Sequence, residues 1–479
     1  MKTRLVEADL FVTDCTTRLP FRFGVTTMTW APLATLRVEV EDDQGGRHIG
    51  HSSDLLVPKW FDKSPDKTFA DNIHDLVQSF RSAAAALEND ASPHRSVFDL
   101  WWSAYRVDAP DGASDPSAAL VRGFGFALVE RAIIDAVCRA SRLSFADALR
   151  EDLFGFLPGQ VWPELDAWDH RVLGASPRAR IAVRHTVGMV DPLTASDVAD
   201  ADRVRDGLPE ALDEDIRRYG LDTFKIKLCG QHDADLERLL ALAAVFDELV
   251  PGDLRITVDA NEQFEDPIHV VRLFDSLAKH PGGERILGGL ICVEQPLPRA
   301  ISCDPARTKA LTDLRAFAPC IIDEADVDVG AFDRALACGY RGISVKNCKG
   351  VFRALVNRGL CEIRSTSDAP LFQSAEDLTN LPVVAVQQDL ATHAVLGLDH
   401  VERNGHHYFR GLDHLPSSER DSALDAHGDL YEVRDGSAQL RIEGGVLAIG
   451  SLQTPGYGYA CTIDTDARTP IDDWSFRER

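Results

Sequence analysis

From about residue 180 onward, the sequence alternates short apolar runs with segments long enough to form helices. The eight runs are ARIAVRHTVG, TFKIKLCG, LRITVDAN, LICVEQPL, PCIIDEAD, GISVKNCK, PLFQSAED and DHVERNG. Strand–helix alternation of this regularity favours a parallel sheet covered by crossover helices, and eight units suit a closed barrel. We therefore predict an α/β protein with a (β/α) TIM-like barrel over residues 178–430.

The segments on either side of these runs have a different pattern. LVEADLFVTD and LATLRVEVED alternate apolar and polar residues, as half-buried antiparallel strands do, and a long helical stretch follows in FALVERAIIDAVCRAS. We predict an N-terminal α+β capping domain over residues 1–150. The tail, residues 431–479, returns to alternating strands and glycine turns, and we expect it to fold back and complete the capping domain.

The charge balance limits the partners of this chain. Its 76 acidic and 51 basic residues give a formal net charge of −25. Such a field repels nucleic-acid phosphates and anionic lipid headgroups, so we expect no nucleic-acid or membrane partner. It would also repel an anionic substrate, so a carboxylate ligand needs a locally positive site, such as a metal ion or clustered lysines.

The cysteines and the N-terminus indicate a cytoplasmic protein. The ten cysteines form no CxxC pair, and several lie inside apolar runs, where cysteine behaves as a small hydrophobic residue. The first apolar stretch is interrupted by Glu7, Asp9 and Asp14, so it lacks the core of a signal peptide. The sequence leaves a homo-oligomer open.

Charged and polar residues stand at the ends of the middle strands. They are Lys225, Lys227, Asp259, Asn261, Glu294, Asp323, Glu324 and Lys346. From Lys227 to Lys346, the intervals between one strand end and the next average about 30 residues, close to one β/α unit of a barrel of roughly 250 residues. These residues therefore converge on the carboxyl ends of the strands, the face where barrel enzymes keep their active sites.

Three carboxylates on successive strands predict a magnesium site, because Mg²⁺ prefers carboxylate and water oxygens. The lysines lie on either side of the carboxylate strands in the barrel order. A lysine acts as a base only when neutral, and a nearby cation lowers its pKa in that direction. Asp323 and Glu324 are adjacent and face opposite ways, and we favour Asp323 as the third ligand.

The patterns KxK, DxN, ExP and DE, followed by a strand-end lysine, resemble the signature of the enolase superfamily, nearest its muconate lactonizing enzyme and mandelate racemase branches. The resemblance implies that Asp259, Glu294 and Asp323 bind Mg²⁺, with Mn²⁺ as the alternative cation. It implies that Lys227 and Lys346 are the acid/base pair and that Lys225 is a supporting charge.

The same resemblance suggests how the substrate is enclosed. In this family, a loop of the capping domain closes over the barrel mouth and selects the substrate. The corresponding segment here, LPFRFGVTTMTWAP, offers Phe21, Phe23 and Trp30 as substrate contacts. We add Asn261, which points the same way as Asp259 when strand side chains alternate.

The favoured activity is removal of the α-proton of a small carboxylate through an enediolate, giving racemization, epimerization or cycloisomerization. A lyase that dehydrates a hydroxy or sugar acid by β-elimination is the second hypothesis, and a non-catalytic metal-binding barrel is the third. The substrate and its stereochemistry stay open. His406 and His407 are more typical of a surface or structural pair than of a second base, and we leave them out of the site.

Overall fold

The computed structural model describes residues 1–88, 94–108 and 112–476, and its centre is a closed parallel barrel. The strands are β4 (Arg180–Val187), β5 (Thr223–Lys227), β6 (Arg255–Asp259), β7 (Leu290–Glu294), β8 (Cys320–Ile322), β9 (Gly342–Val345), β10 (Phe372–Ala375) and β11 (His400–Arg403). β11 pairs with β10 and also with β4, which closes the ring. The predicted TIM-like barrel is confirmed, and each of the eight apolar runs supplies one strand.

Helices connect the strands and cover the outside of the barrel. They are α5 (Leu212–Tyr219), α6 (His232–Leu249), α7 (Ile268–Leu277), α8 (Gly283–Gly288), α9 (Leu311–Leu314), α10 (Ala331–Ala337), α11 (Val351–Arg364), α12 (Val384–Val395), α13 (Gly405–Tyr408) and α14 (Ser417–Ala426). Outward-facing strand residues pack against them; for example, the rings of Phe224 and Phe246 lie 4.5 Å apart. Among the helices of the described residues, none combines the length and apolar character needed to cross a bilayer.

The N-terminal part is an antiparallel sheet covered by helices, as predicted. Its strands are β1 (Thr3–Phe23), β2 (Thr26–Asp42) and β3 (Arg47–Leu55), and its helices are α1 (Phe69–Glu88), α2 (Val97–Asp108), α3 (Pro116–Ser141) and α4 (Phe145–Arg150). The tip of the β1–β2 hairpin turns at Gly24, where φ is +48°. A side chain added at Gly24 would meet Cβ of Asn261 at 3.6 Å, so the tip lies against the barrel mouth.

Helix α3 is buried along most of its length because the sheet and the barrel cover different sides of it. The hydroxyl of Ser52 in β3 donates a 2.6 Å hydrogen bond to the carbonyl of Leu128. Arg131 forms a buried ion pair with Asp54 of β3. On the barrel side, Glu130 accepts a 2.6 Å hydrogen bond from the backbone N–H of Phe352, in the first turn of α11. Helix α3 therefore fixes the position of the cap on the barrel.

The C-terminal tail contacts both parts of the molecule. Its strands are β12 (Tyr431–Arg434), β13 (Ser437–Leu440), β14 (Ile442–Glu443), β15 (Val446–Ala448) and β16 (Thr469–Pro470). β16 pairs with β1 of the cap, as expected for a tail that returns to it. β15 pairs antiparallel with the first half of β4, and the sequence pattern did not predict this addition to the barrel.

Candidate active site

Strand alternation points the two lysines of β5 into the barrel. Phe224 and Ile226 face the helices, so Lys225 and Lys227 face the interior, where the first is fully buried and the second is 7% exposed. Nζ of Lys227 donates to Oδ2 of Asp259 at 2.6 Å. Nζ of Lys225 lies 3.1 Å from the same oxygen and 2.8 Å from Oε2 of Glu294. The structure thus brings the lysines of β5 together with the carboxylates of β6 and β7.

Lys346 completes the arrangement from the other side of the barrel. Its Nζ donates to Oδ2 of Asp323 at 2.7 Å. The strands β5 and β9, which end at the two outer lysines, are separated by β6, β7 and β8 in a ring of eight, so they stand opposite each other. The side chains of Lys227 and Lys346 line one cavity, with the three carboxylate strands between them.

The three carboxylates differ in how well their charge is balanced. Burial alone would raise the pKa of Asp259, but Lys225 and Lys227 outweigh it and hold this pKa below its usual range. Burial also raises the pKa of Glu294, and here the charges of Asp259 and Glu376 add to it, so this pKa lies well above its usual range. Glu294 is therefore the carboxylate whose ionised form most needs additional positive charge.

Asp323 and Glu324 are both fully buried but have different surroundings. Asp323 accepts hydrogen bonds from Ser344 at 2.6 Å and from Lys346 at 2.7 Å. Glu324 instead accepts from Nδ2 of Asn261 at 3.1 Å and from Lys63 of the cap at 3.2 Å. Asp323 thus shares the barrel interior with the catalytic lysine candidate, whereas Glu324 faces the cap. This geometry supports the choice of Asp323 as the third metal ligand, which stays a prediction.

Two further carboxylates in the interior were not predicted from the sequence. Nζ of Lys225 donates to Glu376 at 2.6 Å and to Glu402 at 2.9 Å. Glu376 also forms a buried ion pair with Arg184 of β4. Like the predicted residues, both glutamates stand at or just after the ends of barrel strands, in the runs PLFQSAED and DHVERNG. A search for charged residues at the ends of all eight runs, and not only of the middle ones, would have identified them.

The chemistry of the donor set suits a divalent cation of the magnesium type, although among the described residues these three carboxylates do not stand as close together as the ligands of a bound ion. Asp259, Glu294 and Asp323 offer hard oxygen ligands from three successive strands, and none of the three is exposed. Mg²⁺ is usually held by a few carboxylates together with waters and substrate oxygens. Burial and the neighbouring carboxylates raise the pKa of Glu294, so additional positive charge beside it would favour its ionised form.

The backbone bends sharply where these strands end. Asn261 and Gln295 adopt φ values of 43° and 39°, in the left-handed region that residues other than glycine rarely enter. The side-chain oxygen of Gln295 accepts hydrogen bonds from the backbone N–H groups of Asp323 and Ala325, at 2.8 and 3.1 Å. Strain of this kind persists only where neighbouring contacts hold it, and here it positions the residues at the ends of β7 and β8.

Aromatic residues of the cap cover the barrel mouth. Phe21 and Phe23 line the cavity together with Trp60, and their ring centroids lie 4.9 Å apart. The ring of Trp60 lies over Nζ of Lys346, with 4.6 Å between the nitrogen and the ring centroid. The volume of the cavity is ≈ 20 Å³, about enough for one water molecule. A substrate therefore enters only if part of this cover moves.

The segment that carries Trp60 is tied to loops of the barrel. Arg299 donates to the carbonyl of Phe61 at 2.6 Å and to the carbonyl of Trp60 at 2.9 Å, and it forms an ion pair with Glu262. Lys63 contacts Glu262 at 2.6 Å. These contacts hold Trp60 at the mouth, and sequence reasoning did not identify it because no pattern links the cap segment to the barrel loops.

The structure places one predicted substrate contact elsewhere. Trp30 pairs with Thr16, well away from the hairpin tip, and its ring lies beside Trp474 and Phe476 at centroid distances of 6.4 and 5.6 Å. It is partly buried against the C-terminal tail and is not among the residues that line the cavity. The geometry therefore supports Phe21 and Phe23 as substrate contacts, and Asn261, which also lines the cavity, but not Trp30.

Comparison with known proteins shows what this architecture resembles. No protein-family description and no curated protein matches the chain. Among solved structures it is similar to the 2-chloromuconate cycloisomerase from Rhodococcus opacus 1CP, with a TM-score of 0.60 and 18% identity over 97% of this chain and 98% of that one. It is also similar to a muconate lactonizing enzyme from Pseudomonas fluorescens, complexed with muconolactone, with a TM-score of 0.60 and 15% identity over 97% and 98%.

A third structure shares the fold at nearly full length. It is an enolase from Bradyrhizobium complexed with magnesium and mandelic acid, with a TM-score of 0.59 and 17% identity over 98% of this chain and 99% of that one. At these identities the likeness defines the fold. The chain has the capped-barrel fold of muconate lactonizing enzymes and mandelate racemase-like members of the enolase superfamily, as the sequence motifs suggested.

Proposed function

We propose that this protein is an isomerase that depends on a divalent cation and removes the α-proton of a small carboxylate. The observation that carries the proposal is the pair Lys227 and Lys346, which line one cavity from opposite sides of three buried carboxylates. Two bases on opposite faces of a carbon can remove a proton on one side and return it on the other. That outcome is racemization or epimerization, and a cycloisomerase would use the same groups.

Asp259, Glu294 and Asp323 would hold Mg²⁺, with Mn²⁺ as the alternative. When bound, the cation neutralises the substrate carboxylate and stabilises the enediolate that forms when the α-proton leaves. Lys225 contacts both Asp259 and Glu294, so it keeps these two carboxylates close together. Its own pKa is held well above the usual range, because the attraction of Asp259, Glu294 and the two further glutamates outweighs burial, so it acts as a fixed charge.

Lys346 can accept a proton only if its ion pair with Asp323 is weakened. Burial would lower the pKa of Lys346, but Asp323 outweighs it and raises this pKa above the usual range, so the amine is charged. When Asp323 shares its charge with a cation, it supports the ammonium form less strongly. The amine then releases its proton more readily and serves as the base on its face of the substrate.

The small volume of the cavity supports a small substrate. Two solved structures that share this fold are complexed with small carboxylates, the Bradyrhizobium enolase with mandelic acid and an enolase from Mycobacterium smegmatis with tartrate. In this chain, the hairpin tip beyond Phe21 and Phe23 is the part of the cover that would move to admit the ligand. The location in the cytoplasm, the domain boundaries and the lack of a nucleic-acid partner remain predictions from the sequence.

A lyase is the second candidate, because Glu402 lines the cavity and stands where an acid could protonate a leaving group. Burial would raise the pKa of Glu402, but Lys225 and Lys227 outweigh it and hold this pKa below the usual range. An ionised carboxylate cannot donate a proton. The low pKa of Glu402 therefore favours the two-lysine isomerase over β-elimination.

Incubation of the protein with a library of carboxylates in deuterated water and Mg²⁺ tests the proposal. An isomerase substrate gains one mass unit at the α-carbon, while a lyase substrate loses its leaving group. The double variant Lys227→Ala, Lys346→Ala is the matched control and should incorporate no deuterium. A library in which no α-proton exchanges, with the protein folded and saturated with Mg²⁺, would contradict the proposed function and favour a non-catalytic barrel.

A further inference from the structure

A second cluster of metal-binding side chains lies on the outer face of β4. Arg184 points into the barrel, so its neighbour His185 points outward, towards the helices. There it meets Asp215 of α5 and His406 of α13. These three residues are 1%, 0% and 8% exposed, respectively. The cluster is thus closed to solvent and separated from the carboxylate site by the strand itself.

The donor atoms of this cluster are close to one another. One ligand atom from each of His185, Asp215 and His406 can be chosen so that all lie within 4.8 Å of one another. Nδ1 of His185 is 3.0 Å from Nε2 of His406, and Nε2 of His185 is 3.8 Å from Oδ2 of Asp215. Ligands of a tetrahedral Zn²⁺ with bonds of about 2.0 Å stand roughly 3.3 Å apart, so binding would draw the three ligand atoms in from within 4.8 Å and turn the ring of His185 until one nitrogen faces both partners.

The carboxylate of Asp215 is the second, independent observation. Both of its oxygens are buried, and neither has an aligned hydrogen-bond donor in the described part of the chain. Nδ1 of His407 comes within 2.8 Å of Oδ2, yet neither ring nitrogen of His407 has a hydrogen-bond partner among the described residues. A buried carboxylate without aligned donors is costly, whereas a bound cation would satisfy it.

We propose that His185, Asp215 and His406 bind a divalent transition metal, Zn²⁺ by preference, at a structural site distinct from the magnesium site of the barrel. His407, whose Nδ1 lies 2.8 Å from the same carboxylate, is the candidate for the fourth ligand. A closed, four-coordinate site without access to solvent is typical of structural zinc, because a catalytic metal keeps an open position.

The chemistry of the donors separates the two sites. Imidazole suits Zn²⁺, Ni²⁺ and Cu²⁺, while a set made only of carboxylates suits Mg²⁺ and Mn²⁺.

The position of the site connects it to the cover of the barrel mouth. The ring of Tyr408, next to His407 in α13, stacks on Phe21 with 4.2 Å between centroids. Arg18 of β1 donates a 2.8 Å hydrogen bond to the carbonyl of His407. A metal that fixes α13 against β4 and α5 would therefore stabilise the surface on which the β1–β2 hairpin rests.

The test uses the full-length protein, stripped of metal, saturated with Mg²⁺ and titrated with Co²⁺. Tetrahedral Co²⁺ gives intense visible absorption bands that octahedral Co²⁺ lacks. We expect one equivalent of Co²⁺ to bind with tetrahedral bands, and we expect Zn²⁺ to displace this Co²⁺. His406→Gln should lose these bands, while Glu294→Gln, which alters only the barrel site, and Tyr219→Phe, which keeps the ring beside His406, should retain them.

Two results would overturn the inference. The first is a parent protein that takes up no Co²⁺ or Zn²⁺ beyond what Mg²⁺ displaces, and this result does not depend on any variant folding. The second is a folded His406→Gln variant that keeps the tetrahedral spectrum. If His406→Gln does not fold, His185→Asn takes its place in the spectroscopic test. Independently of the variants, Zn²⁺ should raise the Tm of the parent protein by several degrees at saturating Mg²⁺.

Discussion

The barrel strands bring charged groups to the central cavity, whereas the cap brings mainly aromatic rings. Lys227 and Lys346 are held by ion pairs with buried carboxylates at the ends of hydrogen-bonded strands. Phe21 and Phe23 stand near the tip of a hairpin, where β1 is interrupted by a register shift between Thr16 and Phe21. The candidate acid/base groups thus stand on paired strands of the barrel, and the candidate substrate contacts stand near the tip of a hairpin of the cap.

The largest expected effect comes from the two outer lysines. Lys227→Ala and Lys346→Ala should each lower turnover by about 10²- to 10⁴-fold, or roughly 3 to 5 kcal/mol, the usual contribution of a general acid or base. Either variant can still exchange the α-proton of one enantiomer, which mass spectrometry in deuterated water measures.

Lys346→Arg is the matched control for this experiment. It keeps a positive charge beside Asp323 but offers no neutral base, so it should be as inactive as the alanine variant. A loss below about tenfold in either alanine variant is too small for a general base. If one variant abolishes exchange with both enantiomers and the other is nearly normal, a one-base elimination becomes the better account.

The second effect concerns the barrel carboxylates. Asp259→Asn should weaken Mg²⁺ binding at least tenfold in calorimetry, about 1.4 kcal/mol, because it removes an anionic ligand. Glu324→Gln should change affinity much less, since Glu324 faces Asn261 and Lys63. The reverse order would show that Glu324 is the third ligand in place of Asp323.

The third effect concerns the proposed selection of the substrate by the aromatic residues of the cap. Phe21→Leu should change the ratio of kcat/KM between two substrates of different size by about tenfold, since an apolar contact is worth roughly 1 to 3 kcal/mol. The matched control, Trp30→Leu, removes a ring that contacts the tail and should leave this ratio unchanged. Equal changes in both variants would mean that the hairpin acts through stability and not through contact with the substrate.

The smallest effect concerns the ring above Lys346. A ring face favours the ammonium form by about 0.5 to 2 kcal/mol, so Trp60→Leu should lower the kinetic pKa of Lys346 by about one unit. Activity then extends to lower pH, because the base becomes neutral at a lower pH. Measured pH–rate profiles of parent and variant decide this. An unchanged profile would show that Trp60 only closes the cavity.

The contrast between barrel and cap also explains what could be predicted from the sequence. Strand alternation and a regular interval are visible in the sequence, so the sequence alone predicts that Lys227, Asp259, Glu294 and Lys346 meet in the barrel, as they do in the structure. Trp60 depends on Arg299 reaching the backbone of a segment more than 200 residues away, and no local pattern encodes such a contact.

The histidine cluster shows the same limit on a smaller scale. The sequence placed His406 after the last strand, where a polar pair is usually exposed. In the structure it is buried because β11 lies beside β4, which brings His185 within hydrogen-bonding distance. Closure of the barrel places the last strand beside the first. A pattern that compares only consecutive units of the sequence does not predict contacts between these two strands.

The tail strands have a mechanical consequence. β15 is bonded to β4 of the barrel and β16 to β1 of the cap, so one continuous segment of about twenty residues links the two parts at its ends. A hinge-like rotation of the whole cap away from the barrel would also have to pull Tyr457 of this segment away from Thr392 of the barrel or from Asp135 of the cap. We therefore expect the cavity to open at the hairpin tip, and the cap and barrel to unfold in a single cooperative transition.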